Sequence, residues 1–161
     1  MNTYTIEIKA RCNNPERIKS ILKTVEAQYQ GCNHETDSYL KENSQILKLR
    51  ERDNKVTIFK YSEETTTSKL CEQVSNHLMK ELLIKTCGLD KVVTKFREIY
   101  VIDNVKIYID KVEGLGNFVE IEASDDYENQ DSTLQKCKFY LSLLGIKDRD
   151  IIPFSYFDIA V

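Results

Sequence analysis

Residues 107–123 read IYIDKVEGLGNFVEIEA, and the acidic residues in this stretch are spaced for metal chemistry. Phe118, Glu120 and Glu122 alternate with Val119, Ile121 and Ala123, and Tyr108 and Asp110 alternate with Ile107 and Ile109. In an extended chain alternate residues share a face. The Glu113-Gly114-Leu115-Gly116 connection holds the glycines of a tight reversal, so Ile107 to Val112 and Asn117 to Ala123 read as a β-hairpin. Asp110, Glu120 and Glu122 then fall on one face of two adjacent strands. Like charges so close repel and call for a compensating cation. A hard divalent ion such as Mg²⁺ suits them, because it takes one or two carboxylates and leaves its other positions to water and phosphate oxygens. The competing reading of the same residues is a solvated hairpin face.

Basic residues follow the same spacing. Glu7, Lys9 and Arg11 share a face of Thr3 to Arg11; Lys48, Arg50 and Arg52 share a face of Gln45 to Arg52, opposed by Leu47 and Leu49. Lys95 and Arg97 share a face of Lys91 to Ile102, and Lys106 points with Tyr108 and Asp110. Lys60, near the end of Lys55 to Tyr61, falls with Val56 and Ile58 by strict alternation, which allows a bulge beside it. If the sheet curls and closes, these faces line a lumen rich in cations with a few carboxylates. Such a lumen suits a polyphosphate: cations meet phosphate oxygens, arginine forks bind them bidentately, and carboxylates hold bridging metals. An open antiparallel sheet with its charged face in water is the alternative.

The apolar faces need cover. Asn13 or Asn14 caps a helix with Pro15 and Glu16 in its first turn and a stripe of Ile18, Ile21, Leu22 and Val25, which Gly31 ends. Thr65 to Ser68 reads as a cluster of caps before a second helix from Lys69 to Cys87, with Leu70, Val74, Leu78, Leu82 and Leu83 at helical spacing and Gly88 as its stop. Asp126 to Gly145 carries Leu134, Cys137, Tyr140, Leu141 and Leu144 as a third. His34 to Lys41 is a further strand, joined through Glu42-Asn43-Ser44 to Gln45 to Arg52, and the pairs Asp53-Asn54 and Asp103-Asn104 mark two more turns. The apolar, aromatic tail Ile151 to Val161 docks back onto the body. There is no internal repeat, low-complexity run or linker.

A chain of 161 residues is the size of one domain with a real core. Its net charge of −3 argues against nucleic acid as a partner, and the absence of a leader or of about 18 consecutive apolar residues argues for a cytoplasmic protein that does not span a membrane. Five scattered cysteines without a CxxC pair indicate reduced thiols, mostly buried, and neither a disulfide framework nor a zinc site. His34 and His77 share no metal or triad spacing.

Taken together, IEIKA near the start, Asp37 and Tyr39 in TDSYL, LKLRE around Lys48 and Arg50, KFREIY with Lys95, Arg97 and Tyr100, the hairpin, and SYFDI at Ser155 to Ile159 resemble one family in order and spacing. The chain resembles the CYTH domains of the triphosphate tunnel metalloenzyme superfamily, most closely the class IV adenylyl cyclases, over nearly its full length. The resemblance implies an α+β fold: one domain, residues 1–161, with a closed antiparallel β-barrel of about eight strands and covering amphipathic helices. It implies Mg²⁺ or Mn²⁺ as cofactor, with Glu7, Glu120 and Glu122 as metal carboxylates and Asp110 as a further acidic tunnel position. Lys9, Lys48, Arg50, Lys60, Lys95 and Arg97 match triphosphate-binding cations, and Lys9, Arg97 and Asp110 form the implied catalytic set. Lys60 is the least regular match, because the loop ahead of it is short and its parity is off. One departure concerns the metal. The family signature is ExExK, and this chain has TIEIK with Thr5 in place of the first glutamate. A neutral hydroxyl is a poor substitute for a carboxylate on a hard dication, so metal binding is expected to be weakened or reduced from two ions to one. Glu35 stands where cyclase relatives often have glutamine.

The activity this implies is conversion of ATP to cyclic AMP and pyrophosphate. A tripolyphosphatase or thiamine triphosphatase in the same tunnel is the alternative, differing in the substrate end and the nucleophile. Thr5 favours a third reading, a protein that binds nucleotide or polyphosphate without cutting it. A homodimer is suggested by the cyclase relatives.

Overall fold

The computed structural model describes residues 3–42, 45–62, 65–74, 77–126 and 129–161, with the side chains of residues 3–4, 42, 60–62 and 65–74 outside that description. Strict alternation in TYTIEIKAR forms β1 (Thr3–Arg11). Helix α1 (Pro15–Thr24) follows, its first turn closed by the Asn14 carboxamide, which accepts from Arg17 N at 3.0 Å. After it come β2 (Gln28–Glu42), β3 (Gln45–Arg52), β4 (Lys55–Ser62), β5 (Thr65–Val74) and α2 (His77–Cys87). The second half holds β6 (Lys91–Ile102), β7 (Val105–Val112), β8 (Gly116–Asp126), α3 (Gln130–Leu143), β9 (Ile151–Ile152) and α4 (Tyr156–Ile159). The strands form one sheet in the order β5-β4-β3-β2-β6-β7-β8-β1-β9, with β1–β8, β1–β9, β2–β3, β3–β4, β4–β5 and β7–β8 paired antiparallel and β5 and β9 as its two ends. Hydrogen bonding among the described residues therefore does not close the sheet on itself. No helix among them is long and apolar enough to cross a membrane.

The chain divides into two compact units, Met1–Asn33 with Phe96–Phe154, and His34–Lys95 with Ser155–Val161. In the first, Ile107, Ile109, Val119 and Ile121 on β7 and β8 bury their side chains against Ile18 and Leu22 of α1 and against Cys137, Tyr140 and Leu141 of α3. In the second, Leu40, Leu49 and Val56 form a smaller core that Leu83, Ile84 and Cys87 of α2 cover. Part of the charged side of the strands is buried too: Arg97, Asp110 and Glu120 in the first unit, and Glu35, Asp37 and Lys95 in the second, are at most 6% exposed, whereas Glu7, Arg11 and Lys106 are exposed. That excludes the solvated-face reading for the buried residues.

Several expected elements differ. The helix expected from Lys69 to Cys87 begins only at His77, and the expected caps Thr65 to Ser68 lie in β5, which pairs with β4 from Ser62↔Thr65 to Val56↔Val74. Three successive threonines favour the pleated conformation, and the exposed edge of β4 supplies hydrogen bonds that helical spacing cannot foresee. Helix α1 ends at Thr24, because Glu26 adopts φ +57° and Ala27 N bonds back to Leu22 O; Gly31 lies within β2 instead. That strand consequently starts six residues before His34. Asp126 belongs to β8, and α3 starts at Gln130. The register of β4 against β5 shifts between Lys60 and Ser62, beside the expected bulge. The tail is not a single docked segment: β9 pairs with β1, while Lys91 Nζ donates to the carbonyls of Phe157 and Ala160 around α4. Of the four described cysteines all are free, but only Cys12 and Cys137 are buried, whereas Cys32 is exposed.

Candidate active site

In the first unit β8 lies between β7 and β1, and its register builds the acidic centre. Glu122 faces Glu7 on β1 and Lys106 on β7; Glu120 faces Lys9 and Tyr108. Carboxylate oxygens of Glu7, Glu120 and Glu122 all lie within 4.8 Å of one another. Two residues before Glu7, Thr5 faces Ser124, and their hydroxyls are 3.0 Å apart. Asp110, expected among the metal carboxylates, lies outside this trio. Arg97 donates from Nε to its Oδ1 at 2.7 Å and from Nη2 to its Oδ2 at 2.6 Å. The physical reason is the fork: two parallel charge-assisted bonds fix a guanidinium on a buried carboxylate.

Lys9 Nζ is 2.8 Å and Arg97 Nη2 3.4 Å from Glu120 Oε2. Burial raises the Glu120 carboxyl, but the charges of Arg97 and Lys9 and the hydrogen bond from Lys9 outweigh it and hold the group well below the usual carboxylate range. The guanidinium of Arg97 also lies 4.2 Å from the Tyr108 ring centroid. Burial, then the Glu122 charge, pushes the Tyr108 phenol far up, so it stays protonated and donates to Glu122 Oε1 at 3.3 Å. Counting Glu7, Asp110, Glu120 and Glu122 against Lys9 and Arg97 leaves an excess of two negative charges among these groups, the charge a divalent cation offsets. Lys106, 3.9 Å from Glu122 and more than half exposed, adds only a screened contribution. The donors are hard oxygens, which fit Mg²⁺ or Mn²⁺ better than a thiophilic ion.

In the second unit β2 and β3 bring the other predicted cations together. Asp37 faces Arg50 and Tyr39 faces Lys48. Arg50 donates to both oxygens of Asp37, at 2.7 and 2.8 Å, and Lys95 Nζ donates to Oδ2 at 2.8 Å. Burial works to raise Asp37, yet the Arg50 bonds and the charges of Arg50, Lys95 and Lys48 hold it far below its ordinary value. Glu35, two residues back on the same face, places Oε2 3.2 Å from both Arg50 Nε and Lys95 Nζ, but without hydrogen-bond geometry to either. Lys48 Nζ stands 4.3 Å from the Phe59 ring centroid. Lys95 is wholly buried, whereas Arg50 opens on a basin of about 210 Å³ that Glu35, Arg52, Lys55 and Thr57 also line. From the tail, Tyr156 stacks its ring 5.6 Å from Lys95 Nζ, and Phe157 packs on Tyr39. The side chain of Lys60 lies outside the described residues.

Sequence reasoning passed over Glu35 and Asp37 as counter-ions, Tyr108 as the partner of Arg97 and Ser124 as the partner of Thr5. A signal existed for Asp37: counting back from the Glu42↔Gln45 pair sets it opposite Arg50.

A profile of the CYTH domain matches residues 3–156. A protein of Methanocaldococcus jannaschii, named as a candidate adenylate cyclase, is 27% identical, covering 96% of this chain and 97% of its own length. Among solved structures, a candidate adenylate cyclase of Vibrio parahaemolyticus superposes with a TM-score of 0.85 at 17% identity, over 99% of this chain and 98% of its own. A candidate adenylyl cyclase of Hippeastrum, described as having a dominant triphosphatase activity, superposes with a TM-score of 0.67 at 14% identity, over 99% and 94%.

Proposed function

The chain belongs to the CYTH family, and from that premise we propose that it is a metal-dependent enzyme acting on a triphosphate, its reaction the conversion of ATP to cyclic AMP and pyrophosphate. The observation that carries this reading is the pairing of two cations, Lys9 and Arg97, with one carboxylate of a three-carboxylate cluster. Glu7, Glu120 and Glu122 would hold Mg²⁺ or Mn²⁺; such an ion, when bound, polarises phosphate oxygens and acidifies a nearby hydroxyl. Lys9 and Arg97 neutralise charge that grows on oxygen as the ribose 3′-oxygen bonds to the α-phosphorus and the bond to pyrophosphate breaks. Asp110 orients Arg97 through the two bonds of its fork. Lys48, Arg50, Lys60 and Lys95 bind triphosphate oxygens in this reading, with Asp37 setting the positions of Arg50 and Lys95.

The name of the Methanocaldococcus relative supports the cyclase. The fold alone does not choose the reaction, since the similarly folded Hippeastrum protein is described by a triphosphatase activity. The proposal also holds the chain to be one cytoplasmic domain over residues 1–161, its sheet closed into a barrel as the resemblance implies, and paired as a homodimer. The test is to incubate the protein with ATP and Mg²⁺ or Mn²⁺, and separately with tripolyphosphate, and to separate the products chromatographically. Cyclic AMP with pyrophosphate is the expected result. Orthophosphate without cyclic nucleotide reassigns the site to a triphosphatase, and binding without turnover makes it a receptor for triphosphates.

A further inference from the structure

Two carboxylates of β2 face the cations of the second unit, and they are held differently. Asp37 is bonded at 2.7 to 2.8 Å by both Arg50 and Lys95. Glu35 is about equally buried, with its Oε2 3.2 Å from the same two nitrogens, yet that oxygen accepts no hydrogen bond. Its other oxygen, Oε1, lies 3.9 Å from Arg52 Nη1. A buried carboxylate oxygen with charges beside it but no directed bond is an electrostatic counter-ion and only weakly a structural link. Arg50 and Arg52, which Glu35 faces, also line the basin, along with Lys55 and Thr57. An anion entering that basin meets guanidinium groups whose charge Glu35 already partly offsets.

We propose that Glu35 is a built-in competitor for the anionic ligand of this basin, lowering its affinity for phosphate oxygens by offsetting Arg50 and Arg52. This rests on the reading of Arg50 as a phosphate-binding cation. Asp37 keeps Arg50 and Lys95 in place when Glu35 loses its charge, so the cations remain organised while the repulsion of the incoming anion disappears. Like charges about 6 Å apart at an effective dielectric near 20 repel by the equivalent of about a hundredfold in affinity, which screening by Arg50, Arg52 and solvent lowers to the order of tenfold. The price is stability, because the buried Lys95 and the partly buried Arg50 then share one carboxylate.

The experiment is calorimetric titration of the full chain with inorganic tripolyphosphate, together with thermal unfolding, for the unaltered protein and for Glu35→Gln, Glu35→Asp and Arg50→Gln. Glu35→Gln is expected to bind about tenfold more tightly while melting at a lower temperature. Glu35→Asp, which draws the charge back by one methylene, is expected to tighten binding about twofold and covers the case in which the glutamine variant does not fold. A merely structural Glu35 would lower the melting temperature and leave affinity unchanged or weaker, and that result overturns the proposal. Arg50→Gln separates the two readings: lost binding there with no gain from Glu35→Gln removes the competitor alone, whereas unchanged binding removes the phosphate reading and the competitor with it.

Discussion

Lys9 and Arg97 converge on a single oxygen, Glu120 Oε2, and this makes the first unit's site sensitive to single atoms. Arg97→Lys keeps the charge but loses the fork on Asp110 and the contact with Tyr108; turnover is expected to fall by at least about tenfold with the fold retained, measured as kcat beside a circular dichroism spectrum. Thr5→Glu places a fourth carboxylate next to Glu7, where a hydroxyl now bonds Ser124. Divalent affinity is expected to rise and the metal-free melting temperature to fall, because the added charge repels its neighbours until an ion arrives; calorimetric Mn²⁺ titration reads the first and thermal unfolding the second. Asp37 gives a pH dependence of definite sign. Its folded-state carboxyl is held below the ordinary 3.8, so the unfolded chain binds the proton more readily. Its contribution is therefore complete well above that value and falls away progressively as the pH drops through 3.8 and below. Asp37→Asn is expected to cost about 3–5 kcal/mol at neutral pH and to flatten this acid slope, as urea unfolding at several pH values would show.

At the scale of elements, α2 has two faces with opposite consequences. Leu83 and Ile84 pack on Leu40, Leu49 and Val56, whereas Leu78 and Leu82 are 70% and 57% exposed. Leu83→Ala is expected to cost about 2 kcal/mol or more, and Leu82→Gln to stay within about 0.5 kcal/mol, in chemical denaturation. An equal loss from both would place Leu82 in an interface that the single chain does not show. The β7–β8 reversal depends on Gly116 at φ +100°, a conformation that side chains with a Cβ resist. It matters because the turn sets the register that puts Tyr108 opposite Glu120.

For the whole molecule, a ligand that binds only the folded chain raises its stability by mass action. Mn²⁺ is expected to raise the melting temperature in proportion to the logarithm of its concentration, and Glu122→Ala to abolish the rise while leaving a folded, ion-insensitive protein. Light scattering during size-exclusion chromatography tests the proposed dimer directly.

Much of the strand layout is local in origin and was legible in the residue order. Alternation in TYTIEIKAR and KVVTKFREIYVI set β1 and β6 to the residue, and the same period assigned Glu7, Lys9, Arg97, Glu120 and Glu122 to charged faces, because side-chain direction in an extended chain depends only on parity. Local pattern failed where a distant partner intervened. Leu70 and Val74 read as one helical stripe with Leu78, and pairing with β4 drew their segment into a strand. Which carboxylate meets which cation also lay beyond periodicity. Asp110 shares its strand face with a metal-ligand pattern, yet it binds Arg97, and Glu7 joins Glu120 and Glu122 from a strand more than a hundred residues away in the chain. Parity determines the face on which a charge stands; only strand order and register, set by the pairing of remote segments, decide what stands opposite it.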